Sequence, residues 1–511
     1  MSFFVDLQKW RNESPKQTLY LLLVTIIALI AAYNAVFFVY QLFLSPLRRV
    51  PGPFLARITQ WWEYVIVFRG KSHQDYIRLH EEYGPIVRVG PNRYSFTSRQ
   101  AVKKIYELGG KYIKSDYYTP LLSPDPKTQH IFPMQDNERH KDRRRKISPL
   151  YTMSTMLSYE GAVEKLNGVC MQKMHQFAKE GRLIDVPHWM QYYAFDVIGE
   201  ITFNKSFGMM EKEGDTTGMI SGIREANDYL AFAGLVPSVL PWLARLATLL
   251  GKTSNALMIV GYTWKQIDNH RETNTKFTKA EKGDTFLTKL LDMEASGAIA
   301  NPNMLDACSS NITAGSDTTA ISLSSCLYYL FTNPDKLEKL RHEIETMAAD
   351  GRISDPVTFQ EAQNMPYLQA VIKESLRLHP AVGTILARVV PKGGMELDGQ
   401  YFPEGTEVGA NAWPLHYSND TYGPDPEAFR PERWIGEAKT SIMDSMNFSF
   451  GGGSRTCLGK NISLLEMTKV IPQIVRRFDM VLEHPDKPME TNCAWFVYTH
   501  YRARLKERES P

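Results

Sequence analysis

One ten-residue stretch, Phe450-Gly451-Gly452-Gly453-Ser454-Arg455-Thr456-Cys457-Leu458-Gly459, narrows the folds open to this chain more than any other. Its glycines let backbone approach a flat group closely and take positive φ where a turn demands it. The run from Lys460 to Phe478 spaces its apolar residues as a helix does, so Cys457 sits at a helix N-terminus. There the helix dipole and free N–H groups lower a thiol's pKa and favour thiolate. Phe450 supplies an apolar wall that keeps water from the sulfur, and Arg455 offers a cation to an acidic substituent of the bound group. A dinucleotide site does not fit, because Gly451-x-Gly453-x-x-Thr456 lacks the third glycine and no βαβ unit surrounds it.

The remaining cysteines offer no competing chemistry. Cys170, Cys308, Cys326 and Cys493 are widely separated, and no C-x-x-C pair is present, which removes the usual zinc, thioredoxin and c-type haem signatures. A reduced, cytosol-facing body is the simpler reading. The formal net charge of +3 is small for 511 residues and its cations are scattered, so no nucleic-acid partner is expected. Length alone suggests roughly two or three domains. Yet no Gly/Ser- or Pro-rich linker interrupts residues 55–505, so residues 55–511 read as one catalytic unit.

Before that unit, Leu19 to Leu44 is nearly all apolar and carries no charge. It exceeds the ~20 residues that span a bilayer, whereas a cleaved signal peptide has an apolar core of only ~7–15. The expected layout is a short tail (1–18), a single-pass transmembrane anchor (19–44) and a proline-rich hinge (45–54). Pro46 and Pro51-Gly52-Pro53 should keep that hinge stiff and extended. Orientation is not set by charge: Lys9, Arg11 and Lys16 precede the span, and Arg48, Arg49 and Arg57 follow it. Leu230–Leu250 is apolar but broken by Pro237 and Pro241, and reads either as core or as a patch lying in the bilayer interface.

The body is predicted to be mainly α, an α+β pattern with a small β-sheet region and no alternating βαβ units. Helices are expected over Arg139–Met156, Leu157–Lys179, Val186–Phe203, Asn303–Thr332 and Asp335–Ala349, with another opening near Pro366. Short hairpins are expected for Ile86–Val89 with Tyr94–Thr97, and for Met395–Leu397 with Gln400–Phe402 around Asp398-Gly399.

In the middle of the Asn303–Thr332 helix stands Ala314-Gly315-Ser316-Asp317-Thr318-Thr319, a run of poor helix formers. Thr318 lies four residues after Ala314, so its hydroxyl can compete for that carbonyl and open the helix locally. Gly315 leaves room for a diatomic ligand. Glu374 and Arg377 share a helix face at i,i+3, and Pro431-Glu432-Arg433-Trp434 follows about fifty residues later. His140 and Arg144 stand i,i+4 on a helix, while Arg143, Arg145 and Lys146 are expected to face solvent.

Together these segments resemble the cytochrome P450 family across essentially everything after residue 45. The cysteine stretch matches F-x-x-G-x-R-x-C-x-G, the 314–319 run resembles A/G-G-x-D/E-T-T, and the others look like the E-x-x-R helix and the P-E-R motif. Phe195-Asp196 to Phe207-Gly208 and the RVVPKGG segment are similar to microsomal members from filamentous fungi.

The resemblance implies a P450-type fold and haem b, with Cys457 as axial thiolate and metal ligand. It also implies cofactor contacts from Phe450, Gly451, Arg455, Gly459, Ala314, Arg144, His140 and Arg388. Asp317 and Thr318 would deliver protons to the oxygen being reduced, and Glu374, Arg377 and Arg433 would support the cysteine loop. His140 stands where many relatives carry Trp, Trp434 where Phe is commoner, and Ser463 where Ala is common.

The implied activity is monooxygenation of a lipophilic substrate with O2, in fungal secondary metabolism. Electrons would come from NADPH through a separate reductase, since no flavin or NADPH motif is present, and cytochrome b5 is a second possible donor. The expected form is a monomer at the endoplasmic reticulum membrane with its body in the cytosol. Two rivals stay open on sequence: a haem-thiolate isomerase or dehydratase needing no O2, and a non-catalytic haem-binding membrane protein. Substrate-facing segments are expected at Asp116–Phe132, Leu230–Leu250, Ala307–Asp317, Ala381–Ala387 and Ala494–Val497.

Overall fold

The computed structural model describes residues 15–122, 129–239, 242, 256–274, 285–436 and 440–509. Helices that position the site are α1 (Pro15–Val39), α2 (Trp61–Phe68), α3 (Asn137–Ile147), α4 (Met153–Glu180), α5 (Val186–Phe203) and α6 (Met219–Ala233). They continue with α7 (Asn301–Thr332), α8 (Pro334–Ala349), α9 (Pro366–Leu378) and α10 (Lys460–Arg477). The strands are β1 (Ile86–Gly90), β2 (Arg93–Phe96), β3 (Ile113–Lys114), β4 (Leu183–Asp185), β5 (Arg388–Val389) and β6 (Met395–Leu397). After them come β7 (Gln400–Phe402), β8 (Glu407–Gly409), β9 (Phe478–Leu482), β10 (Glu490–Cys493), β11 (Val497–His500) and β12 (Arg502–Glu507).

Local chemistry sets most of these boundaries. The Asp185 carboxylate caps α5 by accepting the His188 N–H at 3.0 Å, and Asn204 ends it in the left-handed region at φ 56°. Asp398 (φ 48°) and Gly399 (φ 74°) make the tight turn between β6 and β7, in the predicted register. The single helix predicted for Arg139–Met156 is instead two pieces. A 3₁₀ turn over Ser148–Tyr151 separates α3 from α4, because Pro149 cannot donate the helical N–H and Thr152 caps the next helix.

One large apolar core joins α4, α5, α7, α8, α9 and α10, and a second lies under the five-stranded sheet ordered β1-β2-β8-β5-β3. The hinge belongs to that second core. Leu47 and Val50 are buried among Tyr94, Phe96 and Val408, and the Arg88 N–H donates to Pro51 O at 2.8 Å. It is therefore docked through Leu47, Val50 and Pro51, and it is turned where an extended chain was expected, with the Arg48 N–H on Ser45 O and the Val50 N–H on Leu47 O, both at 3.1 Å. Gly52 permits this approach, since a Cβ there would lie 2.4 Å from the Arg88 carbonyl oxygen.

The apolar helix ending at Leu44 is long and apolar enough to cross a membrane, and none of its apolar window is buried. From the Leu230–Leu250 stretch, Leu230, Ala231 and Leu235 pack in an aromatic core and Trp242 is exposed. Residues 240, 241 and 243–250 lie outside the described residues.

Candidate active site

The glycines of the cysteine loop are required by its shape. Gly451 and Gly453 have φ of 70° and 62°, and a Cβ on Gly453 would come within 1.8 Å of the Tyr106 carbonyl oxygen. The Cys457 N–H donates to Phe450 O at 2.9 Å, which closes the loop and brings the thiol to the start of α10. Gly459 has an ordinary φ of −77°, and its contribution is a backbone N–H directed at the sulfur. Cys170, Cys308, Cys326 and Cys493 are buried in protein, whereas the Cys457 thiol keeps accessible surface although protein surrounds it. It looks into an internal space.

Burial raises the Cys457 pKa and outweighs the lowering by the Gly459 and Lys460 N–H groups and by Arg144. The helix terminus by itself does not make a thiolate. A coordinated cation does, because metal binding deprotonates a thiol outright. Phe450 packs against the main core, with the Lys460 ammonium 5.7 Å from its ring centroid.

Helix α7 runs unbroken through the 314–319 run. The Thr318 hydroxyl donates to the Ala314 carbonyl at 2.7 Å without opening the helix, so the expected local break is absent. Ala314 is exposed and Thr318 half-buried in the middle of a helix whose other faces are packed, so this face also borders an internal space. Gly315 serves packing, contrary to expectation. A Cβ there would press to 3.3 Å on Ile198 of α5, so the glycine lets two helices meet.

Asp317 is buried and accepts from Gln191 Nε2 at 2.6 Å and from the Tyr498 hydroxyl at 2.8 Å. Burial raises its pKa against those two hydrogen bonds and Arg224. Thr319 bonds to Ser463 at 3.2 Å, so the oxygen-side helix and the cysteine helix are tied by a hydroxyl pair. That contact gives a reason for Ser at 463.

A cluster of basic side chains borders the same region. His140 and Arg144 come from α3, Arg388 from β5, Arg455 from the cysteine loop, and Lys114 from β3. Lys114 is a residue the sequence reading missed. Its ammonium donates to Phe132 O and lies 4.2 Å from the Tyr118 ring centroid and 3.9 Å from that of Phe132. Burial, then Arg388 and Arg455, hold its pKa well below the usual lysine value. His140 is pushed down to about 3 by burial and then by Arg455, Arg144, Lys114 and Arg388. Arg455 is lowered to about 10 by burial and then by Arg388.

Among the described residues, no carboxylate forms an ion pair with Arg144, Arg388, Arg455 or Lys114. Partly buried like charges without an acid call for an anionic guest. The two propionates of haem meet that need, so the donor set fits the cofactor implied by the cysteine loop. Arg143 does not face solvent. It is buried and its Nη1 lies 3.1 Å from Asp306, while Arg145 and Lys146 pair with Asp142 at 3.0 and 2.9 Å.

Glu374 is the hub that holds the loop's surroundings. Its Oε1 accepts from Arg377 Nη2 (2.8 Å), Arg433 Nε (2.7 Å) and the Arg430 N–H (3.1 Å). Its Oε2 accepts from Arg377 Nε and Trp434 Nε1, both at 2.8 Å. Trp434 thus adds a donor that Phe could not. Arg377 Nη1 donates to His416 O at 2.7 Å; the His416 ring donates through Nδ1 to Arg377 O and accepts the Phe448 N–H at Nε2, both at 2.8 Å. His416, which the motif reading missed, links this hub to the cysteine loop.

Residues 51–506 match the family model described as cytochrome P450. Two proteins of Fusarium vanettenii named pisatin demethylase are 44% and 45% identical over 482 residues, covering 94% of this chain and 94% and 92% of their own lengths. A cytochrome P450 monooxygenase, cicH, of Emericella nidulans is 33% identical over 477 residues, covering 90% of this chain and 94% of its own.

Proposed function

We propose a substrate class and a cellular setting for this haem-thiolate monooxygenase, which belongs to the cytochrome P450 family. The family reaction is RH + O2 + NADPH + H⁺ giving ROH + H2O + NADP⁺, with electrons supplied by a separate reductase. Haem with its thiolate supplies the activation of dioxygen.

The chain's own residues do the rest. Cys457 would be the iron ligand, with the Gly459 N–H on its sulfur, Gly451 shaping the loop and Phe450 excluding water. Arg144, Arg388, Arg455, Lys114 and His140 would hold the propionates. Ala314 would leave space beside the haem, and Asp317 and Thr318 would carry protons to the oxygen side. Glu374, Arg377 and Arg433 keep the loop in place.

The substrate is a lipophilic, aromatic small molecule bearing a methyl group on a heteroatom. One observation carries this reading. Tyr117, Tyr118, Leu230, Ala381, Trp495 and Phe496, drawn from four of the expected substrate-facing segments, meet in one aromatic cluster together with Ile321 of α7. Tyr117 and Trp495 stack at 5.7 Å with 20° between their planes, which makes these expected substrate-facing segments strongly aromatic. Two relatives are named for demethylating pisatin. Hydroxylating a methyl carbon on oxygen or nitrogen gives a product that releases formaldehyde.

The setting is a single-pass anchor in the endoplasmic reticulum, with tail 1–18, span 19–44, hinge 45–54 and a monomeric catalytic body 55–511 facing the cytosol. Electrons would come from an NADPH reductase, with cytochrome b5 as a second donor, in secondary metabolism.

The test is the full chain with reductase, NADPH, pisatin and a set of methoxylated aromatic compounds. The reduced, CO-bound protein should show the strongly red-shifted Soret band of thiolate ligation, lost in Cys457→Ser. Formaldehyde should form only with NADPH, and Thr318→Ala should divert oxygen to hydrogen peroxide. Product without NADPH, or a histidine-type Soret band in folded protein, would overturn the reading.

A further inference from the structure

Residues 129–132 lie in no helix or strand, so their backbone groups need partners from elsewhere. Buried polar side chains of three elements supply them. Arg143 of α3 donates to Gln129 O, and Lys114 of β3 donates to Phe132 O. Between these two points stands Asp306 of α7. One of its oxygens accepts the Ile131 N–H and Arg143 Nη1, both at 3.1 Å. The other lies 2.6 Å from His130 Nδ1 and accepts the Ser310 hydroxyl at 3.2 Å. Burial lowers the His130 pKa, but the bond to Asp306 and its charge outweigh burial and hold it above the ordinary value. A single buried carboxylate thus gathers four donors, two of them from residues 130 and 131.

The residue that this clamp carries forward is Phe132. Ile131 is buried in the main core, whereas the Phe132 ring joins the aromatic cluster. It meets Tyr118 at 5.7 Å and Trp495 at 6.0 Å, both edge to face, and Lys114 Nζ lies 3.9 Å from its centroid. In spite of those contacts Phe132 stays 43% exposed, so part of its ring is open. Edge-to-face contacts are individually weak, and a turn has no ladder of its own to hold a ring still. The precision of this ring's placement therefore depends on what grips the backbone beneath it.

We infer that Asp306 is a positioning residue for the substrate: by clamping residues 129–132 it holds the open side of Phe132 toward a flat aromatic guest. Asp306 itself stays behind the ring and touches no substrate. The inference rests on the reading that the aromatic cluster faces the substrate.

The test uses two haem-ligating probes on the full haem-loaded chain, followed by the Soret spectrum. Imidazole needs only the iron, and 4-phenylimidazole adds a flat ring. Asp306→Asn keeps the side-chain shape and removes its charge. It should weaken 4-phenylimidazole about ten-fold, with imidazole binding and the CO-bound spectrum unchanged. Phe132→Ala should do the same, and the double variant should bind no more weakly than Phe132→Ala alone, because both changes act on one contact. His130→Gln leaves Arg143 paired with Asp306 and should weaken 4-phenylimidazole about three-fold, which keeps the test decisive should Asp306→Asn fail to fold. If Phe132→Ala weakens that probe but neither clamp variant does, or if the clamp variants weaken both probes equally, the positioning role is overturned while the aromatic reading stands. If Phe132→Ala also leaves 4-phenylimidazole unchanged, the aromatic reading fails there and takes the clamp with it.

Discussion

A lysine ammonium loses its hydration on burial, and Lys114 gives it up between Tyr118 and Phe132 with Arg388 and Arg455 as neighbours. Without an anion nearby, that arrangement destabilises the body that holds it. Lys114→Met should therefore act in opposite directions on the two forms of the protein. The haem-free form should gain about 1 kcal/mol in thermal or denaturant unfolding, because a buried amine that burial and its cationic neighbours keep from its ordinary charged state is replaced by an apolar side chain of similar size. The loaded form should lose haem roughly ten-fold faster, and its reduction potential should move to more negative values as a positive charge leaves the propionates. A variant that destabilises both forms equally would make Lys114 a packing residue only. Arg455 differs, since Met134 O and Asn137 Oδ1 each accept from it at 2.8 Å and keep it oriented. Its loss should loosen the cysteine loop as well as the cofactor.

Between helices and loops, the decisive contact is the neutral His416 ring joining Arg377 to Phe448. Burial lowers its pKa from 6.5 to about 3, and His379 is likewise lowered to about 4. The unfolded chain binds protons on these rings below 6.5 that the folded chain refuses. Stability is thus fully present above that value and drains as pH falls toward 3–4. Melting followed by haem release should show this fall, and His416→Gln should start lower at pH 7 yet fall less steeply. Trp434→Phe should cost about 1–3 kcal/mol by leaving a lone pair of a buried carboxylate unfilled. Much of this was legible in the sequence where the signal is local. Asp185 and Asn204 bracket α5, Asp398-Gly399 sets the β6–β7 register, and the Cys457 loop announces itself through its glycines. What stayed hidden comes from distant strands. Tyr498 meets Asp317 across 181 positions, and Lys114 joins the basic cluster only through the β3–β5 pairing. The Gly315 misreading has the same cause, because a missing Cβ does not say which neighbour uses the space.

For the molecule as a whole, the docked hinge separates two truncations that look alike on paper. Removing residues 1–39 takes away the apolar α1 but keeps Gln41, whose Oε1 accepts from the buried Arg88 at 2.6 Å, and should free the protein from membranes while leaving melting of the haem-loaded body unchanged. Removing residues 1–54 also withdraws Leu47 and Val50 from the core under the five-stranded sheet, which should cost roughly 3 kcal/mol at ~1.5–3 kcal/mol per buried side chain. Equal stability of the two products would mean that the hinge contacts carry no energy. The exposed rings of Phe38 of α1 and Phe54 lie 6.5 Å apart, and the exposed Phe68 of α2 lies 6.1 Å from the half-buried Phe232 of α6. Were α1 embedded in a lipid sheet, the burial of Val50 and the Arg88 N–H bond to Pro51 O would leave the body a short free tether above it. A partner confined to the same sheet would then search for this protein in two dimensions and over a narrower range of poses.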